Sequence, residues 1–328
     1  MTFLSEITAI QNIIYIFSSI LFITGIKMLG KEDTAVKGNF FSALAMFIAV
    51  SITLIDVVNP IVLLSGIALG AVIGSFIALK VKMTSIPEMV ALFNGFGGLA
   101  TFLIAWSEFN SVPENLFQHI LVMTTLYIGG VTFTGSLVAY AKLSEKIKIA
   151  KTSIITKIFT TIFYISLPFL LYSTFVTPFI VTSFEFFTVL LVLTLLGGIG
   201  FVLPIGGGDM PVVISLLNSF SGIAAAFAGL LLLNNVLIVA GSLVGASGLI
   251  LTVIMAKAMN RSISNILFVG YASSSASSSS SEEQGEVSPI SVSDAYLILE
   301  SASSVLIIPG YGMAVAQAQH VKGARRIT

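Results

Sequence analysis

The sequence predicts an all-α polytopic membrane bundle of nine transmembrane helices, followed by the start of a smaller soluble segment. Hydrophobic residues make up 56% of the 328-residue chain and charged residues only 9%, whereas a soluble domain carries about 25% charged residues. Apolar segments long enough to cross the ~30 Å hydrocarbon core recur along the chain, and lysines and arginines fall in alternate gaps between them. This composition excludes an ordinary soluble protein, a disordered chain and a collagen.

Each apolar segment is interpreted as a membrane-spanning helix. The segments are too long and too uniformly apolar for barrel strands, which alternate over about ten residues. No small-residue cleavage site follows the first one, so it is expected to be a permanent span and not a signal peptide. The predicted spans are 7–29, 39–58, 60–79, 87–106, 118–141, 158–180, 186–205, 211–233 and 236–258.

The basic residues predict the orientation of the bundle. All 15 lysines and arginines lie in or beside the odd-numbered gaps between spans, or after the ninth span. By the positive-inside rule the N-terminus is then outside and the C-terminus cytoplasmic, which agrees with an odd number of spans. No transit peptide is evident, so a bacterial inner membrane is expected. The zero net charge gives no indication of a nucleic-acid partner, and the absence of cysteine excludes disulfides and thiolate metal sites; no metal site is predicted.

The segment that follows the bundle differs in composition. We expect a membrane domain over 1–262, a Ser-rich linker over 263–289 and a soluble segment over 290–328. Ser291 to Asp294 resembles a capping box at the start of a helix. The apolar run VLIIP at 305–309 favours a short strand.

Small residues in three spans predict close helix packing, either within the chain or against partner helices. Span three carries a double GxxxG ridge, and spans five and nine carry further small faces. These residues are Gly66, Gly70, Gly74, Gly129, Gly130, Gly135, Ser136, Gly241 and Gly245.

Polar side chains inside the spans are candidates for function, because they are costly to bury in lipid. Asn94, Gly98 and Thr101 share one face of span four. Span five carries Ser136 with Thr132, and span eight carries the stripe Ser215, Asn218 and Gly222. Two interpretations stay open: interhelical hydrogen bonds, or a water-filled path through the bundle.

The predicted cytoplasmic side holds a glycine-rich loop and two acidic residues. Three glycines at 206–208 precede Asp209 at the start of span eight. The loop is either a turn with a helix N-cap or a gate that couples a cytoplasmic domain to the bundle. Glu88 is the companion acid, in the first turn of span four. His119, beside the acidic outer loop, is expected to be a solvated interfacial residue.

Gly310 and Gly312 form a GxGxxV motif after the apolar run at 305–309. Such glycines allow a tight turn and the close approach of a pyrophosphate to a helix N-terminus. The motif is weak on its own, because only 16 residues follow Gly312 and a dinucleotide fold needs several βα units.

Several long stretches resemble the beta subunit of the proton-translocating NAD(P) transhydrogenase. Their order, spacing and membrane context agree with that family over nearly the whole chain. They are MTSIPEMVALFNGFGGLA (83–100), GGVTFTGSLVAYAKL (129–143), GGGDMPVVISLLNSFSG (206–222), LIVAGSLVGASGLILTVIMAKAMNRS (237–262) and PGYGMAVAQAQ (309–319).

The resemblance implies a nine-helix membrane domain followed by an α/β Rossmann-like NADP(H)-binding domain. It also implies an alpha subunit that binds NAD(H), a dimer of alpha–beta units, and hydride transfer from NADH to NADP⁺ coupled to proton flow. On the family's pattern Asn218 and Asp209 are linked to the proton path and its coupling, and Ser136 and Glu88 line the path. The pyrophosphate loop corresponds to Gly310, Tyr311, Gly312, Ala314 and Val315.

The sequence departs from the family at two points. Asn94 stands where some members have a membrane-buried histidine, so we expect Asn94 to bind water and the alpha subunit to supply any titrating group. The chain ends at HVKGARRIT, where the family's NADP domain continues. The expectation is a truncation, a frameshift or a split gene, no useful NADP(H) affinity for this polypeptide alone, and a loose basic tail at Arg325 and Arg326. The alternatives are a catalytically incompetent membrane subunit and, less favoured, an ion-coupled secondary transporter.

Overall fold

The computed structural model describes residues 2–56, 60–110, 115–147, 153–175, 184–272 and 291–304. These residues form α-helices joined by short turns, and no strand occurs among them. The chain divides into two compact units, Met1–Ala272 and Ser273–Thr328. The helices are α1 (Thr2–Leu29), α2 (Ala35–Thr53), α3 (Pro60–Lys80), α4 (Ile86–Asn110), α5 (Leu116–Leu143), α6 (Ile154–Phe175), α7 (Phe184–Val202), α8 (Met210–Leu231), α9 (Asn235–Ala258), α10 (Ile263–Ala272) and α11 (Val292–Ser301).

Helices α1 to α9 occur at the positions of the predicted spans. Within the described part of the chain, eight of them are long and apolar enough to cross a membrane. The exception is α7, whose described apolar stretch, Phe187–Val202, falls short of the ~20 residues that a bilayer requires. The chain is therefore a multi-pass helical membrane protein, and the count of nine spans stays a prediction.

Helix α5 is the centre of the bundle. It packs against α4, α6, α7 and α8, and α8 packs in turn against α4 and α9. Most of α5 is buried, including Leu126, Thr132, Ser136 and Ala139, all with no exposed surface. Polar residues on α5 are therefore surrounded by protein instead of lipid.

Two apolar clusters fill the two ends of the helices around α5. One includes Val138, Val213 and Ala256, where α5 and α9 end and α8 begins. The other includes Phe102 and Leu190, toward the end of α4 and the start of α7. On α5, Thr132 and Ser136 thus lie between the two apolar clusters.

Glycines allow close helix contacts in the bundle. A Cβ on Gly222 of α8 would lie 2.3 Å from the backbone nitrogen of Gly245 and 2.9 Å from the carbonyl oxygen of Gly241, both on α9. A Cβ on Gly98 of α4 would lie 2.8 Å from the backbone nitrogen of Phe133 on α5. Both distances are shorter than Cβ contacts allow, so only glycine fits. The prediction of close packing is confirmed for the small faces of spans five and nine.

The glycine ridge of span three packs against none of the described residues. Helix α3 has no buried residue, and a Cβ on Gly66, Gly70 or Gly74 would meet nothing within 4 Å. The described residues supply no close contact there, and contact with partner helices stays a prediction. A GxxxG spacing indicates a face suited to contact and does not indicate that the same chain supplies the partner.

The residues after α9 begin with a helix that belongs to the first unit. Helix α10 places Ile266, 2% exposed, in the apolar cluster with Ala256. It occupies the first ten residues of the predicted linker. The remainder of that linker, 273–289, lies outside the described residues.

The second unit is described over residues 291–304. Ser291 is the N-cap of α11, and its Oγ accepts a hydrogen bond from the backbone N–H of Asp294 at 3.2 Å. The predicted helix start is therefore confirmed. The strand at 305–309 and the glycine motif at 310–315 lie outside the described residues, so the Rossmann-like domain stays a prediction.

Candidate functional site: a polar cluster and the adjoining loop

Asn94 joins three helices inside the bundle. Its Nδ2 donates a hydrogen bond to Ser136 Oγ on α5 at 2.9 Å. Its Oδ1 accepts a hydrogen bond from Ser221 Oγ on α8 at 2.8 Å. Ser136 has no exposed surface, and Asn94 is partly buried. We refer to Asn94, Ser136 and Ser221 as the polar cluster.

The close packing of α4 on α5 brings Asn94 to Ser136. A Cβ on Gly95 would lie 3.2 Å from Ser136 Cβ, and one on Gly98 would lie 3.0 Å from Thr132 Cβ. The glycines one and four residues after Asn94 therefore let the two backbones approach. Asn94 lies eight residues into α4, about 12 Å from its start at 1.5 Å per residue, so the cluster lies well inside the helical bundle.

The polar cluster keeps hydrogen-bonding capacity after these bonds are made. An asparagine amide has two N–H donors and a two-lone-pair oxygen, and a serine hydroxyl donates as well as accepts. One turn along α5, the hydroxyl of Thr132 is buried and has no hydrogen-bond partner among the described residues. Buried polar groups without a protein partner are ordinarily satisfied by internal water. The arrangement can therefore bind water molecules next to Asn94.

The hydroxyls between α8 and α9 fit the simpler interpretation. Ser215 Oγ donates to the carbonyl oxygen of Gly248 at 3.2 Å, and Ser219 Oγ donates to that of Gly245 at 2.6 Å. Thr252 Oγ1 donates to Ser215 Oγ at 3.2 Å. Thr252 Oγ1 also lies 2.7 Å from the carbonyl oxygen of Gly248 in its own helix. The two serine hydroxyls are satisfied across the helix interface, so they act as interhelical hydrogen bonds.

Asn218 does not join the polar cluster in this structure. The predicted stripe on α8 is split: Ser215 is buried toward α9, while Asn218 is exposed. At 100° per residue, Asn218 lies midway between the direction of Ser215 and that of Ser221, which faces α4. Its side chain thus lies in the sector between α4 and α9. The residue that does reach Asn94 is Ser221, which sequence analysis missed although it lies three residues after Asn218.

Asp209 stands at the N-cap position of α8 but makes no side-chain capping hydrogen bond. Its Oδ1 lies 3.7 Å from Nε of Arg261, just after α9. The Arg261 side chain is 53% exposed and that of Asp209 12%. A pair of this kind contributes about 0–1 kcal/mol to stability, so the contact is easily made and broken. Asp209 therefore has the predicted N-cap position but not the predicted capping hydrogen bond. Its contact with Arg261 was not predicted from the sequence.

Glu88 and His119 lie in the first turns of α4 and α5, respectively, and neither side chain is fully exposed. Glu88 is partly buried in the first turn of α4, six residues or about 9 Å from Asn94 along the helix. His119 lies in the first turn of α5 and is only 8% exposed. The expectation of a solvated His119 is therefore wrong, because the side chain points into the bundle.

Known proteins match nearly the whole chain. The family model for the NAD(P) transhydrogenase beta subunit matches residues 11–323. The NAD(P) transhydrogenase subunit beta of Rhodospirillum rubrum is 38% identical over 323 residues, covering 93% of this chain and 68% of that protein. The protein of the same name from a defined strain of that species aligns with the same identity and coverage. The chain belongs to the NAD(P) transhydrogenase beta subunit family.

Membership in the transhydrogenase beta subunit family confirms the resemblance inferred from the sequence. The matched range 11–323 includes both the polar cluster and the loop that ends at Asp209. It also includes Gly310, Tyr311, Gly312, Ala314 and Val315, which lie outside the described residues. The roles of individual residues in this chain, Asn218 included, stay predictions.

Proposed function

We propose that this chain is the membrane subunit that couples hydride transfer from NADH to NADP⁺ to proton translocation. Family membership supports the reaction, and the observation that carries the membrane part is the polar cluster. Three side chains on three helices, hydrogen-bonded at 2.8–2.9 Å, form a connected polar cluster inside the bundle. Buried polar groups at such a depth mark ion and proton pathways.

In this proposal the polar cluster orders water molecules that carry the proton. Neither an amide nor a hydroxyl titrates near neutral pH, so Asn94, Ser136 and Ser221 position water and do not store the proton. The titrating group comes from the alpha subunit. The exposure of Asn218 between α4 and α9 supports this, because a partner helix there would meet Asn218 beside Ser221 and Asn94.

The loop that ends at Asp209 is proposed as the coupling element. Its glycines, Gly207 and Gly208, are exposed with no atom within 4 Å of a Cβ position, which leaves them room to move. Its weak ion pair with Arg261 joins the start of α8 to the end of α9. A change in the cytoplasmic domain can thus be passed to α8, which carries Ser221. Glu88 is proposed to lie on the same side of the membrane.

The complete complex is proposed to hold NADP(H) on the beta subunit and NAD(H) on the alpha subunit. The glycine motif at 310–315 is the proposed pyrophosphate site. The nicotinamides supply the hydride chemistry when bound, and the described residues of this chain supply the membrane path. We propose a bacterial inner membrane, a cytoplasmic C-terminus and a dimer of alpha–beta units.

The test is co-expression of the chain with an alpha subunit and reconstitution into lipid vesicles. We expect hydride transfer between NADH and NADP⁺ together with acidification or alkalinisation of the vesicle lumen that an uncoupler abolishes. Asn94→Ala should reduce proton movement more than it reduces the amount of assembled complex. The control is Thr101→Val on the same face of α4, because Thr101 Oγ1 donates to Gly98 in its own helix at 2.9 Å.

Two results contradict the proposal. Absence of hydride transfer in the wild-type complex contradicts the enzymatic function and favours a catalytically incompetent membrane subunit. Normal proton movement in the Asn94→Ala complex contradicts the role of the polar cluster. Uptake of a solute that is driven by a proton gradient, without nucleotides, would favour the transporter alternative.

A further inference from the structure

Lys142 holds the end of another helix. It lies in the last turn of α5. Its Nζ donates hydrogen bonds to the carbonyl oxygen of Val202 at 3.4 Å and to that of Ile205 at 2.6 Å. It also donates to the carbonyl oxygen of Leu203. The last carbonyls of a helix have no partners within the helix and carry partial negative charge. An ammonium group, with three N–H donors and a positive charge, matches these acceptors.

The contacts of Lys142 reach beyond the helix into the loop. Helix α7 ends at Val202, so Leu203 and Ile205 belong to the segment 203–209 that leads to α8. Both side chains are buried, at 3% exposure. A cap alone would need only the carbonyls of α7 itself. The bond to Ile205 fixes the first half of the loop, up to the partly buried Gly206 and the exposed Gly207 and Gly208.

The same lysine is rigidly connected to the polar cluster. Ser136 lies six residues before Lys142 on α5, about 9 Å along the helix axis. The other end of the loop, Asp209, faces Arg261 at 3.7 Å. The loop is therefore attached to α5 at one end and to the end of α9 at the other, with the exposed Gly207 and Gly208 between them.

We propose that Lys142 is a positioning residue that fixes the loop 203–209 to α5. It thereby holds the loop at a constant position relative to the Asn94–Ser136 hydrogen bond. This rests on the proposed function in one respect, the coupling between the loop and proton movement. Without the three carbonyl bonds, a displacement that starts at Asp209 would be absorbed in the loop. With them, the displacement reaches α5.

The first measurement tests the positioning on the chain itself. Because the sequence contains no cysteine, Gly207→Cys gives a single site for a nitroxide label, and a Cβ there meets nothing within 4 Å. We expect Lys142→Met to increase the label's mobility, while Lys142→Arg, which keeps charge and donors, does not. The matched control is Lys146→Met, because Lys146 Nζ stacks on the Tyr140 ring at 4.9 Å. Unchanged mobility in Lys142→Met overturns the proposal.

The second measurement tests coupling in the complex with the alpha subunit. We expect the ratio of protons moved to hydride transferred to fall about threefold in Lys142→Met, within the range by which single residues change coupling, and to be restored in Lys142→Arg. An unchanged ratio with a mobile label overturns the coupling role. A wild-type complex without hydride transfer contradicts the proposed function instead. In that case the mobility of the nitroxide label still tests the positioning role of Lys142. Loss of Lys142→Met and Lys142→Gln from the membrane, with Lys142→Arg present, assigns Lys142 to folding and overturns the proposal.

Discussion

The hydrogen bond between Asn94 and Ser221 can be measured by a double-mutant cycle. Interhelical hydrogen bonds in membrane proteins average about 0.6 kcal/mol and reach about 1.7 kcal/mol. Asn94→Ala removes two side-chain bonds, so we expect it to reduce the free energy of unfolding by about 1.2 kcal/mol, and up to about 3 kcal/mol. Ser221→Ala removes one, at about 0.6 kcal/mol.

The two changes should not be additive. Once Asn94 is alanine, Ser221 has lost the side-chain acceptor at 2.8 Å and keeps only the backbone carbonyl oxygen of residue 94 at 3.5 Å, so the double variant should cost about 1.2 kcal/mol instead of about 1.8 kcal/mol. The measurement is unfolding of the purified chain by SDS in mixed micelles. Thr101→Val combined with Ser221→Ala is the control, and it should be additive. Additivity of Asn94→Ala and Ser221→Ala within about 0.3 kcal/mol would refute the bond.

Three further predictions concern packing, buried polarity and the ion pair. Gly222→Ala should destabilise the chain by about 1–3 kcal/mol, because its Cβ would overlap the α9 backbone; Gly66→Ala, on an open face, should have no effect in the same SDS titration. Thr132→Val should leave stability unchanged or raise it slightly, because it removes a buried hydroxyl with no protein partner, while slowing proton movement in vesicles if that hydroxyl holds water. Arg261→Gln should reduce stability by no more than about 1 kcal/mol, and raising the salt concentration should remove its difference from wild type; a larger, salt-independent loss would show that Asp209 depends on Arg261 for folding.

Much of the fold is predictable because each membrane helix must meet the same requirement of length and apolar character. A span needs about 20 apolar residues, and this rule placed all the helices of the bundle to within a few residues. The shifts reach five residues at the start of α1 and at the end of α2, and α6 begins at Ile154 and not at 158. The sequence predicts Lys157 in a loop, whereas the structure places it in α6. Its long aliphatic side chain lets the ammonium group reach the membrane surface from a residue in the helix.

The candidate site was only partly predictable, because periodicity gives the face of a residue and not its partner. Asn94 and Ser136 were each identified, yet nothing in one sequence indicates that α4 and α5 meet face to face at these residues. Asn218 and Ser221 differ by only 60° on α8 at 100° per residue. Which of them contacts α4 depends on how far α8 rotates when it packs on the glycines of α9, a tertiary property.

The isolation of α3 has a consequence for the biogenesis of the protein. This helix has the highest mean hydropathy of the membrane-capable helices, 2.4, and no buried residue. It must therefore partition from the translocon into the bilayer on its own apolar character, before and independently of folding. A lysine at its centre would cost about 2.5–3.5 kcal/mol at insertion, and the described residues offer it no buried position on this helix. Substitutions in α3 thus act mainly on insertion into the membrane, whereas substitutions in α5 act on the packing of the folded bundle.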